Sequence, residues 1–415
     1  MLYTLRELQC SLLAPLSEAA KAAAAMYAAP GPFAHLPFAR TMAATFELCH
    51  RLTRRYPPPT FGINHVTVDG VEVPVQERVV VERPFCRLVR FERLMPEGLR
   101  DRAPDPVVLV FAPLSGHFAT LLRDTVRRLL PEHDVYITDW VDAKVVPVTK
   151  GPFSLDDYVA YARDFIRKLG PEVHVLAVCQ PTVPVLAAVA LLEAEEDPCA
   201  PRSLTLMGGP IDARISPTQV TRFALEHPIS WFEDYLIFTV PEGYPGAGRR
   251  VYPGFLQLGA FMSMNPERHA RAYRDFFFDV AMGREERAEA HRRFYDEYNA
   301  VLDMPAEYYL DTVRAVFQEF ALAEGRFMVR IDGTTKRVRP ETIHRTWLLT
   351  VEGEKDDITG LGQTEAAHKL CSGLAPSRRR HLVAASVGHY GLFSGHRWRE
   401  NIYPAVREFI RDSIR

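Results

Sequence analysis

From Val173 to Leu192 the chain runs twenty residues without a formal charge. Such a run is hidden from water either as a membrane-spanning helix or as a buried strand and helix in succession. Here it holds His174, Gln180, Thr182, Pro181 and Pro184, with β-branched residues crowding its first part and alanine and leucine its second. That division predicts a strand ending at Val178, a turn through Cys179–Pro181, and a helix from about Thr182 to Glu195. No spanning helix is expected.

The same rhythm recurs elsewhere. Near-continuous apolar runs cover Val107 to Phe111, Val135 to Thr138, Leu204 to Met207, Trp347 to Val351 and Leu382 to Ala385. Runs without polar alternation fit strands covered on both faces, as in a parallel sheet. Helical spacing falls between or after them, at Ala119 to Leu130, Leu155 to Leu169, Thr364 to Leu370 and Ile402 to Arg411. Before them, residues 1–54 read as helical, with Leu2, Leu5, Leu8 and Leu12 at helical spacing until Pro57-Pro58-Pro59. Then Asn64–Arg93 alternates around an Asp69-Gly70 turn, an antiparallel hairpin signal. About 135 residues separate Gly208 from the next core strand at Thr346, far too many for a structureless loop. They are rich in aromatics, among them Trp231, Phe232, Tyr309 and Phe317, and in helical spacing such as Glu285 to Tyr298. The expected organisation is therefore an N-terminal helical segment (1–60), an α/β core (61–210 and 340–415) and a helical cap inserted at 211–339.

Fifty Lys+Arg against 52 Asp+Glu leave a net charge of −2, which argues against a nucleic-acid or polybasic membrane surface. The six cysteines are scattered, with no CxxC pair, so neither a structural zinc nor a disulfide framework is expected. Charged Arg6, Glu7, Glu18 and Lys21 interrupt the N-terminal apolar residues, so no signal peptide is read there and the expected compartment is the cytoplasm.

The chemistry concentrates where the first run ends. A strand running into Cys179, with a helix starting immediately after, has the layout of a nucleophile elbow, normally G-x-S-x-G. Ala177 and Pro181 occupy the glycine positions here, and cysteine stands for serine. A thiolate is favoured at a helix N-terminus, where the local dipole is positive. A buried structural cysteine would look similar on this motif alone. Chain order argues against that. The α/β-hydrolase arrangement places an acid and then a histidine after the nucleophile. An acidic turn, Glu352–Ile358, follows the strand at Trp347, and Gly388-His389-Tyr390-Gly391 follows the last strand. The loop Pro113-Leu114-Ser115-Gly116-His117 follows the first core strand, where an oxyanion donor is expected beside the backbone N–H of Gln180. His117 is a further candidate for lining the site. No metal or cofactor is needed.

In these residues the chain resembles the intracellular poly(3-hydroxybutyrate) depolymerases, relatives of the polyhydroxyalkanoate synthases among the α/β hydrolases. The resemblance spans nearly the whole chain: Met1-Leu2-Tyr3, Leu5-Arg6-Glu7-Leu8-Gln9, Pro113–His117, Thr138-Asp139-Trp140, Gly151–Tyr158, Ala177–Pro181, Gly208–Asp212 and Gly388–Gly391. It implies a mostly parallel sheet with an antiparallel N-terminal hairpin and a cap. It also implies a Cys179–Asp356–His389 triad, with Asp357 the alternative acid, and backbone donors from Gln180, Leu114 and Ser115. The implied activity is hydrolysis of amorphous polyester on cytoplasmic storage granules through a hydroxyacyl thioester, releasing 3-hydroxybutyrate and its oligomers. The implied partner is the granule surface, and a homo-oligomer is compatible with the sequence. Two rivals share the motifs: hydroxyacyl transfer to or from coenzyme A, and a non-catalytic granule coat.

Overall fold

A computed structural model describes residues 2–99 and 103–415; Met1 of the N-terminal motif lies outside them. Its centre is a nine-stranded sheet: β1 (His65–Val68), β2 (Val71–Glu82), β3 (Cys86–Arg93), β4 (Val107–Phe111), β5 (Asp134–Trp140), β6 (His174–Val178), β7 (Ser203–Met207), β8 (Trp347–Gly353) and β9 (Arg379–Ala384). Their spatial order is β1-β2-β3-β5-β4-β6-β7-β8-β9. The pairs from β5 through β9 are parallel, and those of β1/β2, β2/β3 and β3/β5 are antiparallel. This is the α/β-hydrolase fold, with an added N-terminal strand.

The uninterrupted apolar runs become the inner strands. Every residue of β6 and β7 is buried, and β4 is buried from its second residue on. The run at Leu382–Ala385 does not share that environment. It starts earlier, at Arg379, and lies at the sheet edge with Val383 exposed, because no further strand covers it. The Asp69-Gly70 turn has positive φ at both residues (48° and 83°) and joins β1 to β2 with Val68 opposite Val71. Two positive φ values match the right-handed twist of a two-residue hairpin. The antiparallel part then exceeds a hairpin, because β3 also pairs antiparallel with β5.

The N-terminal segment forms two helices rather than one, α1 (Leu2–Tyr27) and α2 (Ala39–Thr53), which pack on each other. Pro30, Pro32 and Pro37 lie between them, where a helix cannot continue. The leucine stripe faces outward: Leu5, Leu8, Leu12 and Leu16 are all exposed, Leu12 by 70%. What α1 buries is Tyr3, Ser17 and Ala20, and the Tyr3 hydroxyl donates to Asp303 Oδ2 at 2.5 Å.

Around the sheet lie α3 (Arg123–Leu129), α4 (Leu155–Leu169) and α5 (Thr182–Ala194). Ala119–Leu122, expected as the start of α3, forms a separate 3-10 turn, and Thr364–Leu370 shortens to a single helical turn at Ala367–Leu370. Helix α4 starts from a capping box, Ser154 Oγ with Asp157. The segment after β7 carries α6 (Gln219–Glu226), α7 (Ile229–Leu236), α8 (Gly254–Met264), α9 (Pro266–Ala281), α10 (Glu285–Tyr298) and α11 (Ala306–Thr312). It is not purely helical: Phe238–Thr239, Arg250–Tyr252 and Met304–Pro305 form a small antiparallel sheet, and Met328–Ile331 pairs with Thr334–Arg337. The chain closes on α12 (Tyr403–Ile414). Among the described residues no helix is long and apolar enough to cross a membrane.

The loop after β8 is held by a buried carboxylate. Glu352 Oε1 accepts from the backbone N–H of Thr364 (2.7 Å) and Glu365 (3.0 Å), and its Oε2 from Gly362 (2.9 Å). Truncating it strands donors away from water, at about 1–3 kcal/mol each. Glu352→Ala is therefore expected to lower unfolding free energy by about 3 kcal/mol or more, read from the urea midpoint. A change under about 1 kcal/mol would show that the loop does not depend on it.

Candidate active site

The site begins with a strained backbone. Cys179 has φ of +67°, a region few side chains enter, directly between β6 and α5. Its N–H donates to Met207 O at 2.7 Å, so the cysteine extends the β6/β7 ladder by one bond. Its carbonyl accepts from Thr182 N (3.1 Å) and Thr182 Oγ1 (2.8 Å), which fastens the turn to the first residue of α5. Close packing completes the bend. A Cβ on Gly209 would lie 1.8 Å from Thr182 Oγ1, so only glycine fits there. The neighbouring Gly208 (φ +54°) packs under Leu392, whose Cδ1 would lie 2.7 Å from a Cβ there.

Asp356 stands in the turn after β8 and uses its two oxygens differently. Oδ1 accepts from Ile358 N and Thr359 N, both at 2.9 Å, and so folds its own loop. Oδ2 lies 2.7 Å from His389 Nδ1. Asp357, the alternative acid, is exposed and accepts instead from Asn265 Nδ2 at 3.0 Å. His389 is buried at the start of the short turn after β9. Burial opposes its charged form, yet the Asp356 carboxylate, and after it Cys179, hold its pKa well above the ordinary histidine value. The Cys179 sulfur acts on the ring both by charge and as a side-chain hydrogen-bond partner. With Nδ1 taken by Asp356, Nε2 is the nitrogen left for the sulfur.

The other cysteines offer no such setting. All six are free thiols, and burial pushes Cys371 up to about 12 and holds Cys86 well above the ordinary thiol value, so both stay protonated.

Cys179, Gln180 and His389 open into a cavity of about 370 Å³. Its walls are mainly apolar, with Phe223, Phe232, Tyr252, Tyr309, Val313 and Phe317 coming from the 211–339 segment. Of the aromatics singled out in sequence, Phe232, Tyr309 and Phe317 reach this wall, whereas Trp231 stacks on Tyr235 instead. Phe223, Tyr252 and Phe261 line it without having been singled out. Their signal is proximity to the elbow in space, which periodicity does not carry.

Ser115 lines the cavity beside Pro113, whereas Leu114 between them is buried in the core and does not line it. His117 lines the cavity as well. Desolvation lowers its pKa to about 4, so the ring is neutral, and its Nε2–H donates to Tyr298 O at 3.1 Å. Gly116 O accepts from Leu302 N at 2.8 Å, tying this loop to the segment after β7. His117 is thus both a wall and an anchor.

Among the described residues, ligand atoms of Glu352, Glu365 and His381 lie within 4.8 Å of one another, a spacing compatible with a metal ion. Glu352 already accepts three backbone hydrogens there, and the group does not include the Cys179–His389–Asp356 side chains.

Residues 208–413 match the family model described as PHB de-polymerase C-terminus. The chain is 24% identical over 358 residues to the poly(3-hydroxyalkanoate) polymerase subunit PhaC of Haloferax mediterranei, covering 83% of this chain and 66% of the relative. It thus spans slightly less than two thirds of that protein's length. Among solved structures it is similar to a Paleococcus ferrophilus monoacylglycerol lipase (13% identity, TM-score 0.43, 75% and 96% of the two chains). Another is the 2-hydroxy-6-oxo-6-phenylhexa-2,4-dienoate hydrolase of Rhodococcus sp. strain RHA1 (14% identity, TM-score 0.40, 82% and 99%). The strand order, the family model and the polymerase relative together support the polyhydroxyalkanoate enzyme family, built on an α/β-hydrolase fold and suited to ester-bond chemistry, and leave depolymerase and synthase undivided.

Proposed function

We propose that this protein hydrolyses the ester bonds of amorphous poly(3-hydroxybutyrate), with Cys179 as nucleophile, His389 as general base and acid, and Asp356 orienting His389. One observation carries the reading: the Asp356–His389–Cys179 chain lies at the foot of an apolar cavity able to take a polyester segment. The thiolate attacks the ester carbonyl while the backbone N–H groups of Gln180 and the Leu114-Ser115 loop stabilise the oxyanion. Collapse breaks the carbon–oxygen bond, leaves a 3-hydroxyacyl thioester on sulfur, and passes the His389 proton to the departing alkoxide. Water, deprotonated by His389, then attacks the thioester and restores the thiol. The family match over residues 208–413 supports the depolymerase direction. The polymerase relative supports a second reading, in which coenzyme A takes the place of water or supplies the acyl group. Association with the granule belongs to the same proposal, and the outward leucine stripe of α1 supports it.

Cys179→Ala should keep its fold and lose turnover of amorphous granules by about 10³-fold or more, with Cys179→Ser intermediate. Turbidity clearing with product identification reads this, and full clearing by the alanine variant would remove Cys179 from the reaction. Hydroxyacyl-CoA appearing only when coenzyme A is added would select the second reading.

The raised pKa of His389 also has a stability signature. Its charged pairing with Asp356 contributes fully below the unfolded histidine value of about 6.5 and is lost as pH rises through the higher folded value. The Tm advantage of wild type over His389→Gln should be largest near pH 6 and shrink toward alkaline pH. An advantage that grows with pH would contradict the assignment.

Replacing Leu8 and Leu12 together by glutamate should lower adsorption to native granules by about tenfold or more, since each leucine removes apolar contact and adds charge. Unchanged adsorption in a sedimentation assay would take α1 out of the contact.

A further inference from the structure

His389 faces a second cavity besides the apolar one. It measures about 290 Å³ and shares Phe261, Met264, Ile358, His389 and Tyr390 with the first, but Cys179 lines only the first. The second cavity therefore sits on the histidine side of the reacting atoms. Its character is different. Arg268 at the start of α9 and Lys355 from the acid loop both line it, and neither side chain has an ion-pair or hydrogen-bond partner among the described residues. Arg268 lies close enough to act by charge on Tyr298 and Tyr390 in the same wall. Opposing them is Asp357, already engaged by Asn265 Nδ2 at 3.0 Å. His269 adds no charge, because burial first and Arg268 after it lower its pKa. Two cations against one carboxylate leave the cavity net positive beside the group that must protonate the leaving oxygen.

The chemistry of a 3-hydroxyacid polyester gives that position a direction. When the thiolate takes the acyl carbon, the carbon–sulfur bond forms on the fragment that carries the chain's hydroxyl end. The carbon–oxygen bond breaks toward the fragment that carries its carboxyl end, and that alkoxide receives the His389 proton. The departing fragment therefore lies on the histidine side, and at a chain terminus it ends in a free carboxylate. We infer that the cavity bounded by Arg268 and Lys355 is a carboxylate subsite seating the carboxyl terminus of the polyester, so that cleavage proceeds inward from that end. The inference rests on the hydrolase reading above. The cavity lies at the small end of ligand pockets, which suits release of 3-hydroxybutyrate or a very short oligomer. The apolar cavity meanwhile keeps the acyl chain on sulfur. Coenzyme A would offer phosphate to the same cations, and the experiment separates the two anions.

The first arm compares kcat/KM for the 3-hydroxybutyrate trimer as free acid and as methyl ester. Wild type should prefer the acid by about tenfold or more at low salt, and Arg268→Gln/Lys355→Gln should bring the ratio near one. Asp357→Asn should raise it. Equal cleavage of acid and ester by wild type, or an undiminished ratio in the double variant, would overturn the subsite. The second arm needs no turnover: calorimetric titration of Cys179→Ala protein with 3-hydroxybutyrate, its methyl ester and coenzyme A. Saturable binding of the acid alone, lost on substituting Arg268 and Lys355, is the expected result. Coenzyme A binding more tightly through the same two residues would assign the site to phosphate and overturn the carboxylate. If wild type cleaves neither trimer, the hydrolase reading fails, and the titration still decides the subsite.

Discussion

One carboxylate divided between two tasks holds the cluster of Cys179, His389 and Asp356 together. Asp356 spends Oδ1 on the N–H groups of its own turn and Oδ2 on His389. The first task fixes where the carboxylate stands, so the second can fix the imidazole. A carboxylate that had to be ordered on demand would lose side-chain entropy each time it met the ring. Here its loop is folded around it and backed by Glu352, whose oxygens hold residues 362, 364 and 365. The same economy appears at Cys179, whose amide belongs to the sheet and whose carbonyl belongs to the helix. Strand β6, buried throughout, and helix α5, buried from Thr182 to Glu193, hold a positive φ that an isolated turn would relax.

From this follows the division of labour in the molecule. The parallel strands supply fixed points at their C-terminal ends, where β6, β8 and β9 deliver the cysteine, the acid and the histidine. The segment between β7 and β8 supplies the walls. Its attachment is polar and specific: Leu302 N to Gly116 O, Asp303 N to Asp142 Oδ1, and the neutral His117 to Tyr298 O. Burial raises Asp303 to about 6, and Tyr3 from α1 donates to it. The N-terminal helix is thereby latched to the segment that forms the cavity, while its leucines stay free for another surface.

How far this was legible in the sequence depends on what each pattern measures. Apolar runs report burial, so β4, β6 and β7 stand where the runs stand. The last run misled in degree, because an edge strand and an inner strand differ only in what lies beside them, which β9 alone does not encode. Helical spacing marked the leucines of α1 correctly as a stripe, but a stripe does not say which surface it meets. Tyr3, Ser17 and Ala20 do the burying instead. Chain order after the elbow located an acidic turn and a histidine. It left Asp356 and Asp357 open, since adjacent carboxylates differ only in direction, and the turn's own N–H groups set that direction. The cavity wall was least legible, as Phe223, Tyr252 and Phe261 become neighbours only once the segment folds over the sheet. Arg268 and Lys355 meet in the same way, across 87 positions of chain.

The proposed hydrolysis requires a covalent bond to one sulfur. Rapid quenching of the enzyme with a 3-hydroxybutyrate oligomer, followed by intact and peptide mass spectrometry, looks for that bond directly. A 3-hydroxyacyl group on the peptide containing Cys179, absent from Cys179→Ala protein, is the predicted result. Turnover with the acyl group found on another residue, or undiminished in the alanine variant, would contradict it.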